Sequence, residues 1–144
     1  MSTLDALQAA LAGEHACVYA YGLVGAHVSE GAMERARAAY ETHRARREEL
    51  SRQIRLRNAE PVAAMPAYVV PIEVNDNASA RQLAGLIEQR LAVLYADLVS
   101  ATSVPSLREL AVSTLIETAV LAARWTGDTN ALPGIDEVPD PANL

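Results

Sequence analysis

Between residues 60 and 77 the chain reads Glu60-Pro61-Val62-Ala63-Ala64-Met65-Pro66-Ala67-Tyr68-Val69-Val70-Pro71-Ile72-Glu73-Val74-Asn75-Asp76-Asn77. The helical spacing of its flanks stops here. Pro61, Pro66 and Pro71 each remove a backbone donor, and Ala67-Tyr68-Val69-Val70 reads as extended chain. Eighteen residues far exceed the roughly 2 to 8 that usually join antiparallel neighbours in a helical bundle. Drawn out, they reach up to about 60 Å, enough to pass the ~37 Å length of a helix of about 25 residues. The chain is therefore expected to travel back along the molecule and to start its next helix parallel to the one before the stretch.

Upstream, Leu4, Leu7, Leu11, Glu14, Val18, Tyr21, Gly25 and Val28 recur at alternating steps of three and four, one seam of an amphipathic helix over about 3–28. Ser29-Glu30-Gly31 interrupts the pattern. Met33, Ala36, Tyr40, His43, Arg47, Leu50 and Ile54 then continue it as a second helix over 30–57, antiparallel to the first because the turn is short. Downstream, Ser79-Ala80-Arg81-Gln82 reads as a capping box opening a third helix over 79–102, with Leu83, Ile87, Arg90, Leu94 and Asp97 on one stripe. After Pro105, Ser106-Leu107-Arg108-Glu109 repeats the cap, and Leu107, Leu110, Thr114, Glu117, Leu121 and Arg124 mark a fourth helix over 106–126. Pro133, Gly134, Pro139 and Pro141 make 127–144 an irregular tail. The expected fold is an all-α four-helix bundle with a crossover at 60–77 between helices 2 and 3, the arrangement of ferritin-like proteins rather than an up-and-down bundle.

Composition agrees with one such domain. The 144 residues suit a single core, and an alanine-rich chain without phenylalanine lets helix backbones approach closely. A formal charge of −6 argues against wholesale attraction to nucleic acid or anionic lipid. All 12 basic residues are arginine and six of them fall between Arg44 and Arg57, which reads as a solvated helix face with Glu48 pairing to Arg52. The longest apolar run, Leu110 to Ala123, is 14 residues and contains Glu117, short of the roughly 20 needed to cross a bilayer. No positively charged segment precedes an apolar stretch at the start, so the cytoplasm is the expected compartment. Cys17 has no partner for a disulfide and reads as buried filler. Gly22 and Gly25, with Ala16 and Ala20, suggest close helix contact inside the bundle or in a homodimer. No Gly-rich phosphate loop, nucleophile elbow or cysteine pair is present, which removes the usual kinase, hydrolase and zinc-site readings.

One line of charged residues stands where apolar ones belong. Glu14 sits on the first seam between Leu11 and Val18, and an unpaired buried carboxylate costs several kcal/mol to ionise. Counted back from the turn near residue 30, Glu14 lies opposite residue 46, within a helical turn of His43 and Arg47. In the other pair Glu117 lies opposite about residue 90, beside Arg90 and Glu88. With a crossover, Glu14 and Glu117 fall about 24 Å and about 20 Å from opposite ends, both near mid-bundle. The expectation is one central polar layer of Glu14, His43, Arg47, Glu88, Arg90 and Glu117, with Glu14 held by His43 or Arg47 and Glu117 by Arg90.

That order of carboxylates around a long crossover resembles the ferritin-like superfamily over nearly the full chain. More closely, Gly13-Glu14-His15-Ala16 with Val18-Tyr19-Ala20-Tyr21-Gly22, Ala39-Tyr40-Glu41-Thr42-His43-Arg44 and Pro66-Ala67-Tyr68 are similar to an actinobacterial ferritin-like family of unknown function. The resemblance implies the fold and brings no activity with it. The superfamily holds two metal ions with Glu-x-x-His on helices 2 and 4, a spacing that puts both ligands on one side of a turn. Here Tyr40 precedes His43 by three, Val120 follows Glu117 by three, and His15 and His27 follow Ala12 and Val24. The expected protein is therefore a metal-free binding or interaction module without a cofactor, not an enzyme, and a homodimer through alanine-rich helix faces. The alternative is a divergent di-iron or di-manganese carboxylate oxidase or metal-binding protein.

Overall fold

Four α-helices, α1 (Thr3–His27), α2 (Glu30–Arg55), α3 (Asn77–Ala101) and α4 (Pro105–Thr126), make up the regular structure of a computed structural model that describes residues 1–128. The fold class is all-α. The irregular tail expected over 127–144 lies outside the described residues from 129 onward. None of the described helices is long and apolar enough to cross a membrane.

The helix ends follow local chemistry, and three of them correct the sequence reading. Ser2 caps α1 through a reciprocal pair with Asp5, whose amide donates to Ser2 Oγ at 3.1 Å while its carboxylate accepts from Ser2 N at 3.0 Å. At α3 the cap is Asp76, not Ser79. Asp76 is extended and its carboxylate accepts the Ser79 amide at 2.7 Å, so Ser79 is the inner partner of the box and the helix starts at Asn77. At α4 the expected Ser106 box does not form, because Pro105 takes the first helical position with its preset φ and leaves Ser106 inside the first turn. The α2 helix stops at Arg55, two residues short of the expected end, where Asn58 turns into the left-handed region at φ 58°.

Helix α1 packs against α2 and α3, and α3 against α4. Thr3 Oγ1 donates to the Ala101 carbonyl at 2.7 Å, and Ser29 N, just past the end of α1, donates to Asn77 Oδ1 at 2.8 Å. The start of α1 thus lies beside the end of α3 and the reverse, so these helices run in opposite directions. The segment between α2 and α3 follows α1. Gln8 grips it first, donating to Glu60 O at 2.7 Å and accepting from Val62 N at 2.8 Å; His15 Nε2 donates to Val62 O at 3.0 Å, and Tyr68 lies against Tyr19 with centroids 5.6 Å apart. Its Val70, Ile72 and Val74 then pack on the core.

The apolar interior is split in two. Leu7, Leu11, Leu50, Ile54, Leu91 and Leu98 form one half, and Val24, Ala32, Ala36, Leu83, Ala84 and Trp125 belong to the other. Between them, at Glu14, His43, Glu88, Thr114 and Thr118, every helix contributes a buried polar side chain. That layer is where function has to be sought.

Candidate functional site

The ionised groups of the layer come from α1, α2 and α3. Antiparallel packing of α1 and α3 brings Glu14 opposite Tyr95 and Tyr21 opposite Glu88, while α2 inserts His43 between the two carboxylates. Glu14, His43 and Glu88 are completely buried. His43 Nδ1 lies 2.7 Å from Glu14 Oε2 and His43 Nε2 lies 2.9 Å from Glu88 Oε1. Carboxylates only accept, so both ring nitrogens donate and the ring is an imidazolium. Burial opposes that charge. The hydrogen bonds and the charges of Glu14 and Glu88 more than offset it, and hold the His43 pKa at about 9 instead of 6.5.

Two tyrosines close the network. Tyr95 donates to Glu14 Oε1 at 2.6 Å and Tyr21 donates to Glu88 Oε1 at 2.6 Å. The Tyr21 hydroxyl in turn accepts from Trp125 Nε1 at 2.9 Å, which brings α4 into the chain of bonds. The Tyr21 ring stacks on His43 with centroids 5.2 Å apart. Burial pushes both phenols well above the usual range, with the charge of Glu88 adding for Tyr21 and that of Glu14 for Tyr95. Burial, reinforced by Glu14 and Glu88, does the same to Cys17, which stays a thiol and is a poor nucleophile. One acceptor, Glu88 Oε2, is buried without a partner.

A second cation sits close by. Arg46 bonds Glu117 Oε2 at 2.7 Å and Thr118 Oγ1 at 3.3 Å, so it spans from α2 to α4. Burial disfavours its charge, but the nearby Glu14 and the bonded Glu117 raise its pKa above the usual value. With His43 it balances the two buried carboxylates.

Three of the six residues expected in the layer are together: Glu14, His43 and Glu88. The other three are not. Arg47 is partly exposed and reaches Glu48 at 3.4 Å, not Glu14. Arg90 is exposed, two residues past Glu88 and so on the other side of α3. Glu117 is 64% exposed and pairs with Arg46, not Arg90. The partner of Glu14 is therefore His43. Arg46, Tyr21, Tyr95 and Trp125 were missed as members of the network, although Glu14 and Tyr21, like Glu88 and Tyr95, stand seven residues apart, two turns on one helix face. The repeated Glu-x6-Tyr was the available signal.

The residues present do not fit a two-metal centre. Such a site draws carboxylates from four helices and a histidine from two of them. Here α4 offers Thr114 and Thr118 at this level, its Glu117 faces outward, and the single histidine has both nitrogens tied to the carboxylates that would be ligands. Among the described residues no three His, Cys, Asp or Glu side chains converge as a metal-holding group. What the arrangement does chemically is store one proton on His43, out of solvent, and lock the registers of α1, α2 and α3.

Comparison with known proteins places the chain among relatives of unknown function. A crystal structure of a conserved hypothetical protein, Rv2844, from Mycobacterium tuberculosis is similar at 32% sequence identity with a TM-score of 0.85, over 87% of this chain and 95% of that one. No curated protein matches. Residues 6–137 match the family described as Domain of unknown function (DUF4439), and the chain belongs to that family.

Proposed function

We propose that this chain is a ferritin-like four-helix bundle, with residues 60–77 as the crossover between parallel helices α2 and α3, that serves as a metal-free binding module. The course of the connecting segment from Gln8 to Ser29 along α1 supports the topology. One observation carries the functional half: His43 lies between Glu14 and Glu88 with both ring nitrogens bonded, at the level where ferritin-like proteins hold metal ions. A fixed imidazolium does there what a cation would do for the fold, without redox chemistry or an open coordination position. The exposed Val112, Ile116 and Val120 on one side of α4 support a homodimer as part of the same reading.

Elemental analysis of protein purified without chelator, then exposed to Fe(II) or Mn(II) in air, tests the proposal. The expected result is no stoichiometric metal and no oxygen uptake above buffer. One or two tightly held ions per chain, lost on Glu14→Gln, would overturn it. Light scattering should return twice the chain mass.

A further inference from the structure

Beneath the connecting segment the molecule holds a second feature, on the outer side of the α1–α3 contact at the height of the ionic layer, with Cys17 between the two. A cleft of about 130 Å³ opens between α1 and α3, roofed by Tyr68 to Pro71. Small side chains on α1, Gly13, Ala16 and Ala20, leave the space, and Ile87, Leu91 and Leu94 wall it from α3. Gly13 is needed for this packing, since a Cβ there would come within 2.5 Å of Leu94 Cδ1 and 2.9 Å of Leu91 Cδ1. The walls are apolar with one charged exception among the described lining residues. That exception is Arg90, which enters no ion pair within the described chain.

We infer that this cleft is the binding site of the module and that its ligand is a small apolar monocarboxylate, an inference that rests on the metal-free reading above. Three features select that class. The volume is close to the roughly 150 Å³ of an apolar cavity that accepts benzene, which admits one ring or a short alkyl chain and little more. An apolar wall favours a hydrocarbon body, because burying apolar surface is favourable while an unpaired polar group there would lose its hydrogen bonds to water. The guanidinium matches a carboxylate with two parallel hydrogen bonds, and no ion pair among the described residues occupies it. A phosphate ester would need more donors than one arginine supplies. Pro71 within the roof and Pro66 just before it limit its freedom, and Tyr68 is pinned at its hydroxyl, which accepts from Met65 N at 2.9 Å. The cleft is thus preformed, which reduces the ordering cost of binding.

The test is titration of the full ¹⁵N-labelled chain with sodium benzoate and with sodium hexanoate, followed by amide shifts, with benzyl alcohol as the uncharged probe. Metal content is measured on the same sample. Saturable shifts confined to residues 13–20, 68–71 and 87–94 are expected for at least one acid. Tighter benzoate marks an aromatic ligand and tighter hexanoate an aliphatic one. Arg90→Gln, at an exposed position that leaves folding intact, should weaken the acid by about tenfold or more and leave benzyl alcohol unchanged. Ala16→Leu, which fills the cleft, should abolish both. Metal-free wild-type protein that shows no saturable shift, or an Arg90→Gln variant that binds the acid as wild type does, overturns the inference. Stoichiometric metal in the sample overturns the metal-free reading itself.

Discussion

The buried imidazolium makes stability depend on pH in a window where few other groups titrate. His43 has a folded pKa of about 9 against an ordinary 6.5, so the folded state holds a proton that the unfolded chain releases. Its contribution is therefore complete below pH 6.5, declines as the pH rises, and is gone above the folded value. That interval corresponds to about 3 kcal/mol. Spread over an m-value of roughly 1 to 3 kcal/mol per molar in urea, it moves the unfolding midpoint by about 1 to 3 M between pH 6 and pH 9. Glu14, Glu88 and Tyr21 touch the ring, Tyr95 bonds Glu14, and Cys17 and Arg46 lie within electrostatic reach of the two carboxylates. Cys17, Tyr21 and Tyr95 are all pushed upward by burial; in the unfolded chain the phenols ionise at about pH 10 but a thiol ionises at about 8.5, so the series is run with Cys17→Ala in the parent chain and in its control alike, which leaves His43 as the buried group that titrates up to about pH 9. The assay is urea unfolding by circular dichroism at half-unit pH steps. The isosteric double variant Glu14→Gln with Glu88→Gln is the control. Without either charge, burial alone acts on the ring and favours its neutral form, so this variant should be flat from pH 6.5 to 9. A Cys17→Ala midpoint that does not move across the interval, or a control that falls as steeply, would refute the reasoning.

Other perturbations read other parts of the network and its frame. Tyr95→Phe leaves Glu14 Oε1 buried without its donor and should cost about 1 to 3 kcal/mol in the same unfolding assay, while Tyr40→Phe, on the partly exposed face of α2, should be near neutral. Arg46→Met should destabilise by about 1 kcal/mol and Arg47→Met by less than about 0.5, since Arg46 is mostly buried on Glu117 and Arg47 is on the surface; equal losses would undo the distinction. Gly85→Ala should lower the thermal midpoint despite the better helix propensity of alanine, because its Cβ would press into Thr126 Cγ2. Adding Thr126→Ser, which removes that methyl group and keeps the hydroxyl bond to Ala122 O, should restore it.

The elements were legible because their breaks are chemical. Three prolines in the connecting stretch and Pro105 mark where the helices break, whereas the ends set by Asn58 in a left-handed turn and by Pro105 at a first helical position were misplaced by one or two residues. The facing of Glu14 and His43 was legible too, since counting back from a short turn fixes the height of residues on α1 and α2 to within one helical turn. The rotation of α3 and α4 about their own axes was not. Their leucine-weighted stripes, through Ile87, Arg90 and Leu94 and through Leu110, Glu117 and Leu121, point to one side of the buried faces, which run through Ala84, Glu88, Leu91 and Tyr95 and through Ala111, Thr114, Thr118 and Trp125. Each residue of helix turns the view by about 100°, so an error of one position puts Glu117 inside and Thr118 out. The cause is alanine. Alanine shares the buried faces with Leu83, Leu91, Leu98 and Leu107, so the partly buried Ile87, Leu94, Leu110 and Leu121 at the edge outweigh it and shift the apparent stripe toward themselves.

The polar pairs supply the rotation that the apolar pattern hides. Two helices that run in opposite directions bring residues together in pairs whose numbers have a constant sum, and Glu14 with Tyr95 and Tyr21 with Glu88 satisfy the same sum. Both pairs arise from one spacing, a glutamate followed seven residues later by a tyrosine, once on α1 and once on α3. Seven residues fall about 20° short of two full turns, so each tyrosine stays on its glutamate's face. A histidine from α2 then meets both carboxylates only if α2 lies across that seam, which fixes the third helix. Trp125 reaches the Tyr21 hydroxyl only if α4 turns Thr118, seven residues earlier, toward the same interior, and that turns Glu117 outward to Arg46. The orientation of all four helices thus follows from one hydrogen-bonded chain, so a layer that costs desolvation energy specifies the rotations that the apolar pattern leaves open.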